Sequence, residues 1–356
     1  MEKQRQGGRM SSIERLVLWS RQLMLGAAAT AVLVSQTHSQ AAADPAFYTG
    51  KTITVVVGFA PGTGYDFYAR LLSRHLGDHL PGRPSLVTQN MPGAGGFTAA
   101  GYLYNSAARD GTVLGFIDQA SPLSQTLGVS GFRADVAKFN WIGRLTSNAA
   151  VLFVKAASGV TDVRQIRDRE VILSAPGQNS RIVSAVMKSL GLKLRILTGY
   201  SSSAESVLAL ERGEIDAMTL PWVVLRTQKP KWLADHTVNL LLQMGSESHP
   251  DLQQVPLLPS LARDAEEAAI LKLISNDSRV GRSVMAPPGL PAERVSELRA
   301  AFTTMLADPA FKDDAAKSDL DLIPMDGAAL QAMIADSVRV DPTAVASVKK
   351  IIKSMQ

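Results

Sequence analysis

The first candidate for ligand chemistry is a glycine-bearing loop that joins an apolar strand to a helix. It reads Phe59-Ala60-Pro61-Gly62-Thr63-Gly64-Tyr65-Asp66 and precedes a helix predicted over Phe67–Leu80. A helix N-terminus offers unpaired N–H groups and the positive end of the helix dipole, and both favour an anion. The loop has neither the Lys-Ser/Thr pair of a phosphate-binding P-loop nor the third glycine of a dinucleotide-binding turn. A carboxylate is therefore the predicted occupant.

A second loop has the same strand-to-helix context. It reads Ser174-Ala175-Pro176-Gly177-Gln178-Asn179-Ser180 and precedes a helix predicted over 181–190, which Asn179 or Ser180 could cap. A capped helix start explains these residues as well as ligand binding does. If both loops bind, two facing helix N-termini would suit a ligand with a carboxylate at each end. Arg181 could reach such a carboxylate, although a surface position is the simpler explanation.

Other turns supply weaker candidates. The segment 90–98 contains Gly93-Ala94-Gly95-Gly96, which an ordinary tight turn explains. Asp118-Gln119-Ala120-Ser121 follows another strand and could add polar contacts. We accordingly predict minor ligand contacts from Ala94, Gln119 and Ser121, with Tyr200 as an aromatic wall.

The residues give little support for catalysis. His75 and His79 share a helix face, but the glutamate of an HExxH zinc motif is missing. There is no G-x-S-x-G elbow, and the run Ser201-Ser202-Ser203 has no neighbouring histidine. We therefore predict a protein that binds without chemistry, with no metal and no cofactor.

The first 43 residues have the pattern of a secretory signal peptide. Basic residues precede the apolar stretch 23–34, which is too short to span a bilayer, and Ala41-Ala42-Ala43 gives an A-x-A-like cleavage site. The chain has no cysteine for a lipid anchor or a disulfide. This segment holds five basic and two acidic residues, so the net charge of +5 falls to about +2 in the remainder. Nucleic acid is not indicated, and we predict export to the periplasm of a Gram-negative bacterium.

Apolar, β-rich runs alternate with helical stretches, which predicts mainly parallel sheets flanked by helices. The predicted strands are Ile53–Phe59, Leu86–Gln89, Val113–Ile117, Ala150–Val154, Val171–Ser174, Leu194–Thr198, Ala217–Leu220, Val238–Leu242 and Ser283–Ala286. We expect crossings between two domains near 141–154 and near 240–250. Domain 1 would comprise 44–149 with 246–356, and domain 2 would comprise 150–245.

Six motifs in this order, behind a signal peptide, resemble a known family. It is the family of tripartite tricarboxylate transporter substrate-binding receptors, the Bug or TctC-like periplasmic proteins. The motifs are Phe59-Ala60-Pro61-Gly62-Thr63-Gly64-Tyr65-Asp66 with Ala69-Arg70-Leu71-Leu72, Asn90-Met91-Pro92-Gly93-Ala94-Gly95-Gly96, Asp110-Gly111-Thr112-Val113-Leu114, Ser174-Ala175-Pro176-Gly177, Gly213-Glu214-Ile215-Asp216-Ala217-Met218 and Ala286-Pro287-Pro288-Gly289-Leu290-Pro291.

The resemblance implies an α/β fold of two domains, the periplasmic-binding-protein or Venus-flytrap fold. The domains would close on a small organic acid and present it to an integral-membrane permease. One jaw would be formed by Phe59, Pro61, Gly62, Thr63, Gly64, Tyr65 and Asp66, and the other by Ser174, Ala175, Asn179 and Ser180. Whether Asp66 contacts the ligand or only caps its helix stays open. We expect a monomer.

Departures from the family pattern bear on specificity. Tyr200-Ser201-Ser202 stands where the family usually has Tyr-Lys-Gly, and Tyr65 and Trp222 are added aromatics. We therefore predict a mono- or dicarboxylate, aromatic acids included, rather than a compact tricarboxylate such as citrate. Two alternatives remain, a secreted α/β hydrolase or transferase that uses the glycine loops for an anion, and a periplasmic sensor for a signalling partner. A nucleophile with an adjacent base would favour the enzyme, whereas the sequence does not separate a sensor from a transport receptor.

Overall fold

The structure, a computed structural model, describes residues 47–176, 178–200 and 202–354, without the side chains of Gln178 and Asn179. The predicted signal peptide, 1–43, lies outside the described residues, and so does the predicted contact from the Asn179 side chain. Within the described ranges, no helix has the length and hydropathy needed to cross a bilayer.

Two helix-flanked sheets form the centre of the described chain. Their strands are β1 (Thr52–Val57), β2 (Ser85–Asn90), β3 (Val113–Phe116), β4 (Asn140–Thr146), β5 (Ala150–Lys155), β6 (Val171–Ser174), β7 (Leu194–Leu197), β8 (Ala217–Pro221), β9 (Val238–Gln243), β10 (Arg282–Ala286) and β11 (Met325–Asp326). The first sheet has the order β11-β4-β10-β3-β1-β2, and the second has the order β7-β6-β8-β5-β9. We call each sheet with its helices the first or the second lobe.

Helices cover both sheets. They are α1 (Gly64–His75), α2 (Phe97–Asn105), α3 (Ser121–Leu127), α4 (Gln178–Ser189), α5 (Ser203–Arg212), α6 (Trp222–Gln228), α7 (Pro230–Ala234), α8 (Ala265–Ser275), α9 (Asp277–Val280), α10 (Ala292–Ala307), α11 (Pro309–Lys317), α12 (Gly327–Ser337) and α13 (Pro342–Lys353). Short 3-10 turns connect several of them. The predicted two-domain α/β class is confirmed.

Each sheet combines a parallel part with antiparallel strands. β2, β1 and β3 run parallel in the first sheet, as do β7, β6 and β8 in the second. β10 and β11 pair antiparallel with β4, and β5 pairs antiparallel with β8 and β9. Parallel neighbours need a long crossover between them, whereas β4 continues into β5 over a short link. The sheets are therefore mixed, because the strands at the crossings run against their neighbours.

The elements around the first loop form for local reasons. β1 is a β-branched run whose last three residues are buried, which favours a strand inside a sheet. α1 directs Tyr68 and Leu71 to the same buried face. The helix begins at Gly64, earlier than predicted, so Tyr65 and Asp66 belong to its first turn.

The chain crosses between the lobes three times, and the third crossing is 338–341, between α12 and α13. The first two crossings lie side by side. The outward link is 147–149, between β4 and β5, and the return directly precedes β10. Gly281 at the return has φ +52°, and a Cβ there would lie 2.1 Å from the Thr146 carbonyl oxygen. Glycine is required at so close an approach, because any side chain would collide with the outgoing strand.

The apolar core of the second lobe includes helices from beyond residue 246. Leu271 of α8 and Val348 of α13 lie in one buried cluster with Leu152 of β5. The domain limits remain a proposal. This packing favours a return near Gly281 over the 245/246 boundary expected from the sequence, with α8 and α13 assigned to the second lobe.

A buried guanidinium ties the crossings together. Arg144 is 3% exposed and donates to the carbonyl oxygens of Ile323 at 3.2 Å and Arg279 at 2.5 Å. Its Nη1 also donates to Glu247 Oε2 at 3.3 Å, and Glu247 is 36% exposed. Removing one partner of such a pair leaves the other charge buried. Because Glu247 is partly solvated, Glu247→Gln is expected to lower the free energy of unfolding by about 1–2 kcal/mol in a urea titration.

Asp78→Asn is the matched control for this substitution. Asp78 lies 3.7 Å from Arg83, and both side chains are exposed. The control should change stability by less than about 0.5 kcal/mol. Equal losses of stability in the two variants would show that the Arg144–Glu247 pair contributes no more to the free energy of unfolding than an exposed ion pair does.

Candidate ligand-binding cleft

The Asp66 carboxylate holds the first predicted loop in place. Its Oδ2 accepts hydrogen bonds from Gly62 N and Arg70 Nε, both at 2.9 Å, and its Oδ1 accepts one from Asn90 Nδ2 at 2.9 Å. Asn90 Nδ2 also donates to the Phe59 carbonyl oxygen. Burial alone would raise the pKa of Asp66, but these hydrogen bonds outweigh it and hold the pKa below its ordinary value. Asp66 is 2% exposed, which is the geometry of a residue that positions the loop.

Tyr65 lies at the centre of a polar and aromatic cluster. Its ring stacks on Phe59 with centroids 4.2 Å apart, and the Arg282 guanidinium carbon lies 4.0 Å from the Tyr65 centroid. Its hydroxyl donates to Asp118 Oδ1 at 3.3 Å and accepts from Gln119 N at 2.8 Å. Arg282 Nη1 donates to Gln119 Oε1 at 2.7 Å. Burial raises the pKa of Tyr65, so its hydroxyl stays protonated.

A cavity of about 450 Å³ beside this cluster is bounded by both lobes. We call it the serine cavity, and its lining residues are Ala94, Gly95, Phe97, Asp118, Ala120, Leu123, Ser124, Leu127, Val129, Pro176, Ser180, Ile182, Ser203 and Thr219. Its volume falls within the range of small-molecule sites. The predicted contacts Ala94 and Ser180 meet here, one from each lobe.

Three helices begin at the lining of the serine cavity. Phe97 is the first residue of α2 and Ala94 begins the 3-10 turn that leads into it, Ser180 lies in the first turn of α4, and Ser203 begins α5. Helix N-termini favour an anion through their N–H groups and the helix dipole. Because α2 follows the first sheet and the other two helices belong to the second, an anion here could contact both lobes.

Asp118 lies on one side of the serine cavity. It is the one ionisable side chain among the described lining residues. Burial raises its pKa, against hydrogen bonds from Ala120 N and the Tyr65 hydroxyl that favour the charged form. A ligand carboxylate is expected toward the helix N-termini, because these favour an anion. No lysine or arginine is among the described lining residues of this cavity.

A second cavity, of about 460 Å³, adjoins the link between the lobes. We call it the crossover cavity, and its lining includes Gly62, Gly64, Tyr68, Ser147, Asn148, Trp222, His249 and Arg282. The first predicted loop reaches this cavity, whereas the second reaches the serine cavity. The structure therefore does not bring the two predicted jaws to one cavity. Tyr65 lies between the two cavities. Its hydroxyl donates to Asp118, which lines the serine cavity, and its ring contacts Arg282, which lines the crossover cavity.

Part of the second predicted jaw lies behind the cavity wall. Ser174 and Ala175 are 1% and 0% exposed, and Ser174 Oγ lies 2.7 Å from Ser206 Oγ. Arg181 donates to the carbonyl oxygens of Ala175, Pro176 and Thr198. These contacts hold the loop in place. The Arg181 guanidinium donates to backbone carbonyl oxygens and is not directed toward a ligand.

Eight other predicted contacts line neither cavity in the described part of the chain, namely Phe59, Pro61, Thr63, Tyr65, Asp66, Gln119, Ser121 and Tyr200. Pro61 is exposed, and Thr63 Oγ1 donates to the Ala60 carbonyl inside its own loop. Ser121 is 1% exposed. Tyr200 packs against the apolar cluster of the second lobe. Its pKa is raised, mainly by burial and to a smaller extent by the nearby negative charge of Glu214. Their ligand contacts remain predictions.

The cavities contain residues that the sequence did not predict as ligand contacts. Thr219 in the middle of β8 and Ser203 at the start of α5 line the serine cavity, as does Asp118, which the sequence indicated only as a possible polar contact. Arg282 reaches the crossover cavity from the first position of β10. The end of a strand at the ligand edge of a sheet is a usable signal for Asp118. No local pattern identifies Arg282, because its partners are more than 150 positions away.

Tyr65→Phe tests the central cluster, because it removes the hydroxyl and keeps the ring contacts. The loss of the Asp118 and Gln119 hydrogen bonds is expected to weaken ligand binding about threefold to tenfold in calorimetric titration. Tyr68→Phe is the control, since its hydroxyl donates to the Asp321 carbonyl at 2.8 Å, away from the serine cavity. Equal affinity losses in both variants would contradict the role assigned to Tyr65.

The histidines identified in the sequence have structural partners. His75 Nε2 lies 2.8 Å from Asp314 Oδ2, and His79 Nε2 lies 3.2 Å from Asp308 Oδ2. They join the end of α1 to α11. Across residues 47–354, apart from the two undescribed positions, no group of three or more acidic or histidine side chains is arranged to hold a metal ion.

Comparison with known proteins agrees with this architecture. The model of the tripartite tricarboxylate transporter family receptor, TctC, matches residues 69–353. The chain is 24% identical over 327 residues to the UPF0065 protein in the gbd 5′ region of Cupriavidus necator, covering 88% of this chain and 92% of that protein.

Two solved structures share the fold. A TctC solute-binding protein from Polaromonas, without ligand, superposes with a TM-score of 0.64 at 18% identity, covering 86% of this chain and 99% of that chain. MatC from Rhodopseudomonas palustris, with bound malate, gives a TM-score of 0.58 at 19% identity, covering 85% of this chain and 99% of that chain. Two helix-flanked sheets around a central cavity define the periplasmic solute-binding class. The chain belongs to the TctC family of tripartite tricarboxylate transporter receptors.

Proposed function

We propose that this receptor captures a small carboxylate in the serine cavity and delivers it to the membrane permease of a tripartite tricarboxylate transporter. The observation that carries the proposal is the meeting of the N-terminal ends of α2, α4 and α5 at one cavity. These helices come from both lobes, so a bound anion would stabilise the arrangement in which the lobes approach each other. The malate in the MatC structure supports a carboxylate as the ligand class.

Lobe closure would use the crossings between the lobes as a hinge. The link 147–149 and the return at Gly281 lie side by side, and with the segment 338–341 before α13 they are the few residues that need to change backbone angles for a hinge motion. Closure would change the outer surface that a permease recognises. The signal-peptide pattern of 1–43 supports the periplasm as the place where this happens.

We expect the receptor to release its ligand chemically unchanged. Ser124, Ser180 and Ser203 line the serine cavity, but no histidine is among the described lining residues to activate a serine. This arrangement favours binding over hydrolysis or transfer, which was the alternative that the sequence left open.

Thermal shift of residues 44–356 against mono-, di- and tricarboxylates tests the proposal. Saturation at 100 times the dissociation constant adds about 2.7 kcal/mol to stability, which moves the melting temperature by several degrees. We expect a selective shift by mono- or dicarboxylates, with the acid recovered chemically intact. A protein that was denatured, freed of bound ligand and refolded, and that then responded to no carboxylate, would contradict the proposed function. Conversion of the acid during incubation would favour an enzyme.

A further inference from the structure

An open apolar trough adjoins the serine cavity. The trough has a volume of about 740 Å³, and it shares Ala94, Phe97, Leu127, Val129 and Ile182 with the serine cavity. Half of the residues that line the trough therefore also line the serine cavity, and these five residues lie where the two spaces meet.

The trough ends at the C-terminal helix of the chain. There it adds Ile352, Lys349 and Lys353 of α13, together with the backbone turn at Ser130 and Gly131. Lys349 and Lys353 are exposed at the rim, and no acidic residue is among the described lining residues. The helix itself is held on the second lobe through its buried residues. The trough wall is thus a fixed part of the fold.

One apolar wall is common to both spaces. Phe97, Leu127, Val129 and Ile182 line the serine cavity and the trough, and Ile352 extends this wall on the trough side, where Ser130, Lys349 and Lys353 are added. The hydroxyls of Ser124, Ser180 and Ser203 line the serine cavity only. A compact acid would leave this apolar surface in contact with water. An acid with a hydrocarbon chain would cover it, and the hydrophobic effect would add to its affinity in proportion to the area removed from water.

We propose that the ligand is an amphipathic carboxylate, with one carboxylate at the starts of α4 and α5 and its hydrocarbon chain in the trough. This inference rests on the proposed function and narrows its ligand class. A second carboxylate midway along the chain would lose its hydration against Phe97 and Ile182. One at the far end would meet Lys349 and Lys353, so the trough selects for chain length and against acids that carry a carboxylate midway along the chain.

A chain-length series tests the proposal. The affinities of straight-chain acids from butanoate to decanoate are measured by calorimetry on the refolded 44–356 chain. In the wild type, each added methylene that enters the trough is expected to strengthen binding about threefold. Ile352→Asn is expected to weaken the longer acids about fivefold to tenfold while leaving butanoate unchanged, because Ile352 lines the trough and not the serine cavity.

Ile351→Asn is the matched control. Both isoleucines are partly buried on α13 against the same core cluster, but Ile351 does not line the trough. The control should lose a similar amount of stability and keep the full chain-length dependence. Affinity that does not rise with chain length, or equal effects of the two variants, would overturn the trough assignment while leaving a carboxylate receptor intact. Failure of every acid to bind would overturn the proposed function as well.

Discussion

Asp66→Ala is expected to lower the free energy of unfolding by about 3 kcal/mol and to weaken carboxylate binding at least as much as Tyr65→Phe, about tenfold. The substitution leaves Gly62 N and the Asn90 side-chain amide without their acceptor in a buried site. The loop that carries Phe59 and Tyr65 then loses its fixed geometry, and the Tyr65 hydroxyl no longer braces Asp118. Urea titration gives the stability change, and calorimetry gives the affinity.

Asp326→Ala separates loop positioning from simple helix capping. Asp326 caps α12 by accepting from Ala328 N and Ala329 N at 2.9 Å. Its removal should cost about 1 kcal/mol and leave binding unchanged. If Asp66→Ala behaved like this control, Asp66 would be a cap and nothing more.

The charge of Asp66 also predicts a pH dependence. Its folded pKa lies below the ordinary value of 3.8, so its contribution is complete above that pH and is lost as the pH falls through the folded pKa. The stability difference between the wild type and Asp66→Asn should therefore shrink as the pH falls below 3.8. A difference that grew toward low pH would contradict the hydrogen-bonded carboxylate.

Ser180→Glu is expected to weaken carboxylate binding by at least about 100-fold while the protein stays folded. The new carboxylate would occupy the anion position at the start of α4 and repel a bound acid, which costs several kcal/mol at short range. An acidic residue in the first turn of a helix interacts favourably with the helix dipole, so the fold should not suffer. Calorimetric titration and a melting curve measure the two effects.

Thr343→Glu is the control for this substitution. Thr343 lies in the first turn of α13, at the opposite end of that helix from the trough residues. The change introduces the same charge in the same helical context, so it should leave affinity unchanged. Wild-type affinity in Ser180→Glu would show that the ligand does not lie at α4.

Much of the fold follows from sequence periodicity. The predicted strands at 171–174, 194–198 and 217–220 agree with β6, β7 and β8 to within one residue, because short apolar runs bounded by turns carry a usable local signal. The antiparallel crossings were not predictable in this way. Pairing direction depends on where the chain re-enters a sheet, and Gly281 reveals its role only beside Thr146.

The sequence identified two of the loops near the site, but it did not show which residues line a common cavity. Sequence context identified the starts of α1 and α4, yet the structure places those loops on different cavities, with Tyr65 between them. Local sequence shows where a helix begins, but not which other helix starts face it. The meeting of α2, α4 and α5 is a tertiary feature, and so is the contact of Arg282 with Tyr65.

The position of a bound acid tests the central claim most directly. A crystal structure of the 44–356 chain with a bromine-labelled alkanoate would locate both ends of the ligand by anomalous scattering from bromine and by density for the carboxylate. The account predicts the carboxylate within hydrogen-bond distance of the first turns of α4 and α5, with bromine in the trough beside Ile352. A carboxylate in the crossover cavity, against Arg282 and the Gly62–Gly64 loop, would contradict it.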